Sequence, residues 1–111
     1  MAINSNRKGK ESEREVSHIL QSWGFNARRS QQYAGSNGDA DVVGVPGLHI
    51  EVKHVEKLNL YKAMKQSIND AREGEIPVVV HRKNRTKWLI TLDFDMFLGI
   101  LTGAGKGAED V

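Results

Sequence analysis

A chain of 111 residues, 39% hydrophobic and 27% charged, has room for one domain with one modest core and no room for two. With no cysteine it can form neither disulfides nor thiolate metal sites, and it has no cysteine nucleophile. The net charge of +2 is too small to argue for a polyanionic partner by itself, so the placement of the charges has to decide.

Residues 1–6 show no periodicity and read as a lead-in. From Arg7 the pattern is helical: Val16, Ile19, Leu20 and Trp23 fall at i, i+3, i+4 and i+7, a buried stripe that stops at Gly24. At ~100° per residue, Glu13 lies beside the Leu20 edge of this stripe, Glu11 points away, and Glu15 flanks the other edge. Glu13 is thus the acid that leans toward whatever the helix packs on. Residues 25–30 read as a first strand carrying Arg28 and Arg29, and the polar, Gly-rich segment 31–38 as a loop able to contact substrate.

Two short apolar runs follow, Asp41-Val42-Val43 and His49-Ile50-Glu51-Val52-Lys53, joined through Val45-Pro46-Gly47-Leu48 in a hairpin. Alternation puts Asp39 and Asp41 on one face, and Glu51 with Lys53 likewise, while Val42, Ile50 and Val52 turn into the core. Asn59 caps a helix over 60–72 with Leu60, Met64, Ser67, Ile68 and Ala71 inward. Residues 76–80 form a central strand with Pro77 at its start. Residues 87–92 form a further strand, and Asp93 or Asp95 caps a short helix over 96–101. Residues 102–111 are small and polar and read as a fraying tail. The order α-β-β-β-α-β-β-α predicts an α/β sandwich around a mixed sheet of about five strands, in a single domain over 7–101. No apolar run is long enough to cross a bilayer and no signal-peptide core is present, so a cytoplasmic protein is expected.

A core has no use for a strand face carrying Asp, Glu and Lys; hydrolysis of a phosphodiester does. A divalent cation neutralises phosphoryl charge and generates hydroxide near neutral pH, and Mg²⁺ takes one or two carboxylates from the protein. Asp41 and Glu51, side by side on adjacent strands, provide that pair, with Asp39 or Glu13 as a further acid. Lys53 can serve the attacking water or the developing negative charge. Basic residues gather around this acidic hairpin: Arg7, Lys8 and Lys10; Arg28 and Arg29; Lys57, Lys62 and Lys65; and a second cluster of His81, Arg82, Lys83, Arg85 and Lys87 at a turn. Phosphates held by Lys and Arg around cations held by carboxylates fit a nucleic-acid substrate. Trp23 and Trp88 both sit in apolar patterns, which leaves no aromatic platform for stacking bases.

In these motifs the chain resembles the PD-(D/E)XK nuclease superfamily, in its small branch of Holliday-junction-resolvase-like enzymes from archaea and phages. The residues carrying the resemblance are Arg7-Lys8-Gly9, Glu13-Arg14-Glu15, Trp23-Gly24-Phe25, Arg29-Ser30, Asp41-Val42-Val43, Ile50-Glu51-Val52-Lys53 and Ile76-Pro77-Val78. It implies a restriction-endonuclease-like αβββαβ core and a metal-dependent DNA endonuclease acting on branched DNA. Glu13, Asp41 and Glu51 would bind Mg²⁺ or Mn²⁺, and Lys53 would serve the attacking water. It also implies a homodimer that cuts two strands, with Arg29 and Ser30 near the scissile phosphate. Arg7, Lys8, Lys10, Arg14, Gln66, Arg82, Lys83 and Arg85 are further candidate DNA contacts, although helical phase puts Gln66 opposite the apolar stripe. The chain departs from the family in two places: Ala40 replaces the superfamily proline before the Asp, and the loop over 31–38 is longer than in the archaeal resolvases. The alternatives are a nicking or flap nuclease for phage DNA packaging or repair, and a non-catalytic DNA-binding module of the same fold.

Overall fold

The computed structural model describes residues 5–30 and 40–103. The loop over 31–38, Asp39 and most of both expected tails (1–4 and 104–111) lie outside the described residues. Eight elements run along the chain: α1 (Ser5–Ser22), β1 (Arg28–Arg29), β2 (Val42–Val43), β3 (Leu48–His54), α2 (Leu60–Asp70), β4 (Ile76–Arg82), β5 (Leu89–Leu92) and α3 (Phe94–Thr102). This is the expected order, with the first and last helices reaching into segments read as tails.

The five strands form one sheet in the order β1-β2-β3-β4-β5. Neighbours pair antiparallel except β3 and β4, which run parallel with Ile50 opposite Val78 and Glu51 opposite Val79. A parallel pair needs a crossover, and α2 is that crossover. Strand alternation then sorts the two faces. Val42, Ile50, Val52 and Val78 join Val16 of α1 and Ala27 in the core. The other face carries His49, Glu51 and Val79 and lies under α2, whose Ser67 hydroxyl donates to the Val78 carbonyl at 3.0 Å. Helical ends follow local chemistry: Asn59 Oδ1 accepts the Lys62 amide, and Asp93 Oδ1 the Met96 amide. Among the described residues no helix is long and apolar enough to cross a membrane.

Three expectations about burial are corrected. Trp23 is 79% exposed instead of closing the α1 stripe. Helix α1 ends at Ser22, and Gly24 at φ +99° turns the chain away before the indole can follow the helical phase. Ile19 is also exposed, so the packed stripe reduces to Val16 and Leu20. On α2 the buried residues are Ala63 and Ser67, whereas Ile68 is exposed. Small side chains let this helix approach the strands closely enough for a hydroxyl to reach a sheet carbonyl, and the larger apolar residues are displaced to the flank. The first strand is two residues long instead of six; among the described residues its partner is β2, which offers just Val42 and Val43.

The hairpin loop depends on Gly44. Its φ is +105°, and a Cβ there would fall 2.1 Å from the Asn26 carbonyl oxygen, so the chain before β1 lies directly on this turn.

Candidate active site

Asp41 stands immediately before β2, whose Val42 pairs with Ile50 of β3. Its carboxylate accepts the Val52 amide at 2.8 Å, and its own amide donates to the Ile50 carbonyl at 2.9 Å. The Ser30 amide donates to the Asp41 carbonyl, which ties the end of β1 to the same point. Asp41 is therefore fixed by the backbone on both sides.

Glu51 is only 2% exposed. Its carboxyl pKa is pushed up to about 8, first by burial, then by the charge of Asp41 and a hydrogen bond shared with it; Lys53 opposes the shift and Asp70 adds to it. Two carboxyls held together out of water resist both being charged. His49, 1% exposed, places Nε2 2.7 Å from Glu51 Oε2, and its Nδ1 lies 3.6 Å from Glu75 Oε1. Oxygen and nitrogen atoms of His49, Glu51 and Asp70 all fall within 4.8 Å of one another.

Glu13 reaches the same region from α1. It pairs with Arg29 Nε at 2.9 Å, and its pKa is raised by burial and by Asp41 while Arg29 and Lys10 lower it. Asp41 is thus the carboxylate common to both Glu13 and Glu51. Glu15 turns the other way, as expected from helical phase, accepting from the Trp88 indole N–H and lying 3.4 Å from Arg82 Nε. Glu11 is exposed and meets Arg7 at 3.8 Å.

The candidate DNA contacts divide into groups. Arg14, Arg28 and Arg29 line a groove of about 370 Å³ together with Ser17, His18 and Gln21. Lys8 is half-buried and Lys10 exposed on the first half of α1, and Gln66 is exposed on α2. Lys83 and Arg85 are exposed at the β4–β5 turn, which is tied to the end of β3: His54 bridges the Ser12 hydroxyl (3.2 Å) and Asn84 Oδ1 (2.8 Å). Arg82 differs from its neighbours, since its guanidinium lies over the Trp88 ring at 5.3 Å and beside Glu15. That pairing holds the turn against α1. The exposed Trp23 and Tyr61 also show that aromatic faces are available to a partner, against the expectation of none.

His49 and Asp70 are the site residues that the motif did not identify. His49 was within reach, because it shares the parity of Glu51 and Lys53 and so their face. Asp70 follows Ser67 by three positions and Ala63 by seven, and it comes into view only once α2 is phased on its small residues.

Carboxylates are the donors a hard divalent cation prefers. Asp41 acts electrostatically on both Glu51 and Glu13, while among the described residues the side chains whose candidate ligand atoms all lie within 4.8 Å of one another are His49, Glu51 and Asp70. No curated protein matches the chain. Among solved structures it is similar to Hjc of Archaeoglobus fulgidus, a Holliday junction resolvase from an archaeal hyperthermophile. The TM-score is 0.60 and the identity 28%, over 74% of each chain. A family model described as "Phage putative PDDEXK endonuclease" matches residues 4–104. By that match, and by the mixed sheet it shares with a resolvase, the chain belongs to the PDDEXK endonucleases of phage type and is a nuclease.

Proposed function

We propose that the protein is a Mg²⁺- or Mn²⁺-dependent DNA endonuclease selective for branched DNA, working in the cytoplasm as a homodimer. The observation that carries this reading is the convergence on Asp41: Glu51 from the neighbouring strand, Glu13 from α1, and Lys53 on the Glu51 face. The similarity to a resolvase supports the choice of branched DNA.

Asp41, Glu51 and Glu13 are the residues that would hold the cation, which when bound neutralises phosphoryl charge and lowers the pKa of its water. Asp41 is held in place by the Val52 amide, which donates to its carboxylate. Lys53 partly offsets the carboxylate charge at rest, and with a phosphate present its ammonium stabilises negative charge developing on the phosphoryl oxygens. Arg14, Arg28 and Arg29 would receive backbone phosphates in their groove, with Arg29 and Ser30 next to the scissile group, and Lys83 and Arg85 would receive them at the β4–β5 turn.

The test is cleavage of a synthetic four-way junction and of linear duplex, with Mg²⁺ or with EDTA. Cutting should require metal and be faster on the junction. Asp41→Asn and Lys53→Ala should each slow it by about 10²–10³-fold, the loss typical of removing one electrostatic stabiliser. Undiminished cutting by both variants, or cutting in EDTA, overturns the reading.

A further inference from the structure

We propose that His49 is a positioning residue, holding the Glu51 carboxylate in its metal-binding orientation; this rests on the nuclease reading above. His49 stands two residues before Glu51 on the same face of β3 and is almost wholly buried. Its Nε2 lies 2.7 Å from Glu51 Oε2. With Glu51 ionised, as a cation at the site would hold it, its carboxylate only accepts, so Nε2 would be the donor of this bond. This bond engages Oε2 of Glu51 and fixes the plane of its carboxyl group, while Asp41 and Lys53 act on the same group electrostatically.

The imidazole is itself held in place. Its Nδ1 faces Glu75 Oε1 at 3.6 Å, and that same oxygen accepts the Arg72 amide at 2.8 Å, while the Glu75 amide donates to the Arg72 carbonyl at 3.0 Å. The ring is therefore fixed between a carboxylate anchored to the turn after α2 and the carboxylate of the site. Asp70 lies in the same cluster, on the last turn of α2. Strand pairing adds to the constraint, because His49 sits opposite Pro77 in the parallel ladder and lies beneath the crossover helix.

His49 could in principle bind the cation directly, since its nitrogen lies within 4.8 Å of oxygens of both Glu51 and Asp70. The contacts point elsewhere. Both ring nitrogens face carboxylates, and ligation through Nε2 would break the 2.7 Å bond to Glu51. Hard cations of this class also prefer oxygen. Hydrogen-bonding partners of metal-ligating groups fix their orientation, and removing one typically costs about 10–100-fold in metal affinity.

The experiment is calorimetric titration of Mn²⁺ into the full chain and its variants, with DNA cleavage measured alongside. His49→Leu should weaken Mn²⁺ binding about 10–100-fold. His49→Gln, whose amide N–H can occupy the Nε2 position, should restore affinity to within about threefold of the native chain. At saturating Mn²⁺ the Leu variant should lose kcat with the KM for DNA unchanged. Should His49→Leu fail to fold, His49→Asn replaces it; its shorter amide stops short of Glu51, so it should bind Mn²⁺ weakly while His49→Gln does not. Native affinity in both the Leu and Asn variants overturns the proposal, as does failure of the Gln variant to rescue. A ¹⁴N coupling from the His49 ring in the pulsed EPR spectrum of bound Mn²⁺ would make His49 a ligand and overturn it too. A native chain that neither binds Mn²⁺ nor cuts DNA defeats the nuclease reading instead, and the two failures are distinguishable.

Discussion

Glu51 carries opposite demands, since the fold buries its carboxyl beside Asp41 while the chemistry needs it ionised. Its ordinary pKa is 4.5 and its folded value about 8, so between these limits the unfolded chain gives up a proton that the folded chain keeps. Below pH 4.5 the group contributes nothing to the pH dependence; as pH rises toward 8 it increasingly destabilises the metal-free fold. Thermal unfolding in EDTA should therefore show a midpoint that falls from pH 6 to pH 8. Glu51→Gln should flatten this slope and raise the midpoint at pH 8 by roughly 4–8 °C for each kcal/mol recovered, while abolishing cleavage. An unchanged slope in the variant would mean that another group sets it. The same linkage makes metal affinity rise with pH, because a cation at Glu51 displaces that proton. Asp41, Glu51 and Lys53 were legible from the sequence, because residue type and strand parity suffice to put them on one face. Glu13 was legible because helical phase separates it from Glu11 and Glu15. His49 was not identified, since a histidine in an apolar strand reads as core until its partners are seen.

At the scale of elements, the site depends on the hairpin geometry that brings Asp41 beside β3, and Gly44 controls that geometry. Its φ of +105° disfavours any side chain, and the Asn26 carbonyl fills the space a methyl would need. Backbone strain alone is worth about 1–3 kcal/mol at such a position, and a clash with backbone cannot be relieved by a rotamer change. Gly44→Ala should thus lose more than about 2 kcal/mol in urea unfolding. Cleavage by whatever fraction folds should also drop, because the β1–β2 pairing holds Arg29 in place and sets Ser30 and Asp41 at its end. Loss of less than about 0.5 kcal/mol would show that the turn tolerates a Cβ. Element types and their order were readable from hydrophobic periodicity, and the caps at Asn59 and Asp93 from residue chemistry. Packing phase was not. On α2 the sheet selects Ala63 and Ser67 for closeness instead of Met64 and Ile68 for size, and on α1 the stop at Gly24 detaches Trp23. Both outcomes depend on what lies opposite the helix, which local pattern does not encode.

At the scale of the whole molecule, the described residues leave the last helix uncovered. No described residue of α3 is buried, yet Phe94, Phe97, Leu98 and Leu101 fall at i, i+3, i+4 and i+7, with Phe94 72% and Leu101 65% exposed. Leu89 and Ile90 of β5, the edge strand just before it, are exposed as well. The α3 side chains thus form an exposed apolar stripe, the kind of surface that a stable interface buries. Asp95 is the only charge on α3, so the stripe offers nothing for a charged partner to recognise but is complementary to a second copy of itself. Sedimentation at micromolar concentration should give a dimer, and Phe97→Glu with Leu98→Glu should give a monomer that still binds Mn²⁺. That monomer should nick one strand of a four-way junction per encounter, where the dimer cuts two. A native chain that sediments as a monomer with and without junction DNA would defeat the dimer reading and leave the chemistry of the single site standing.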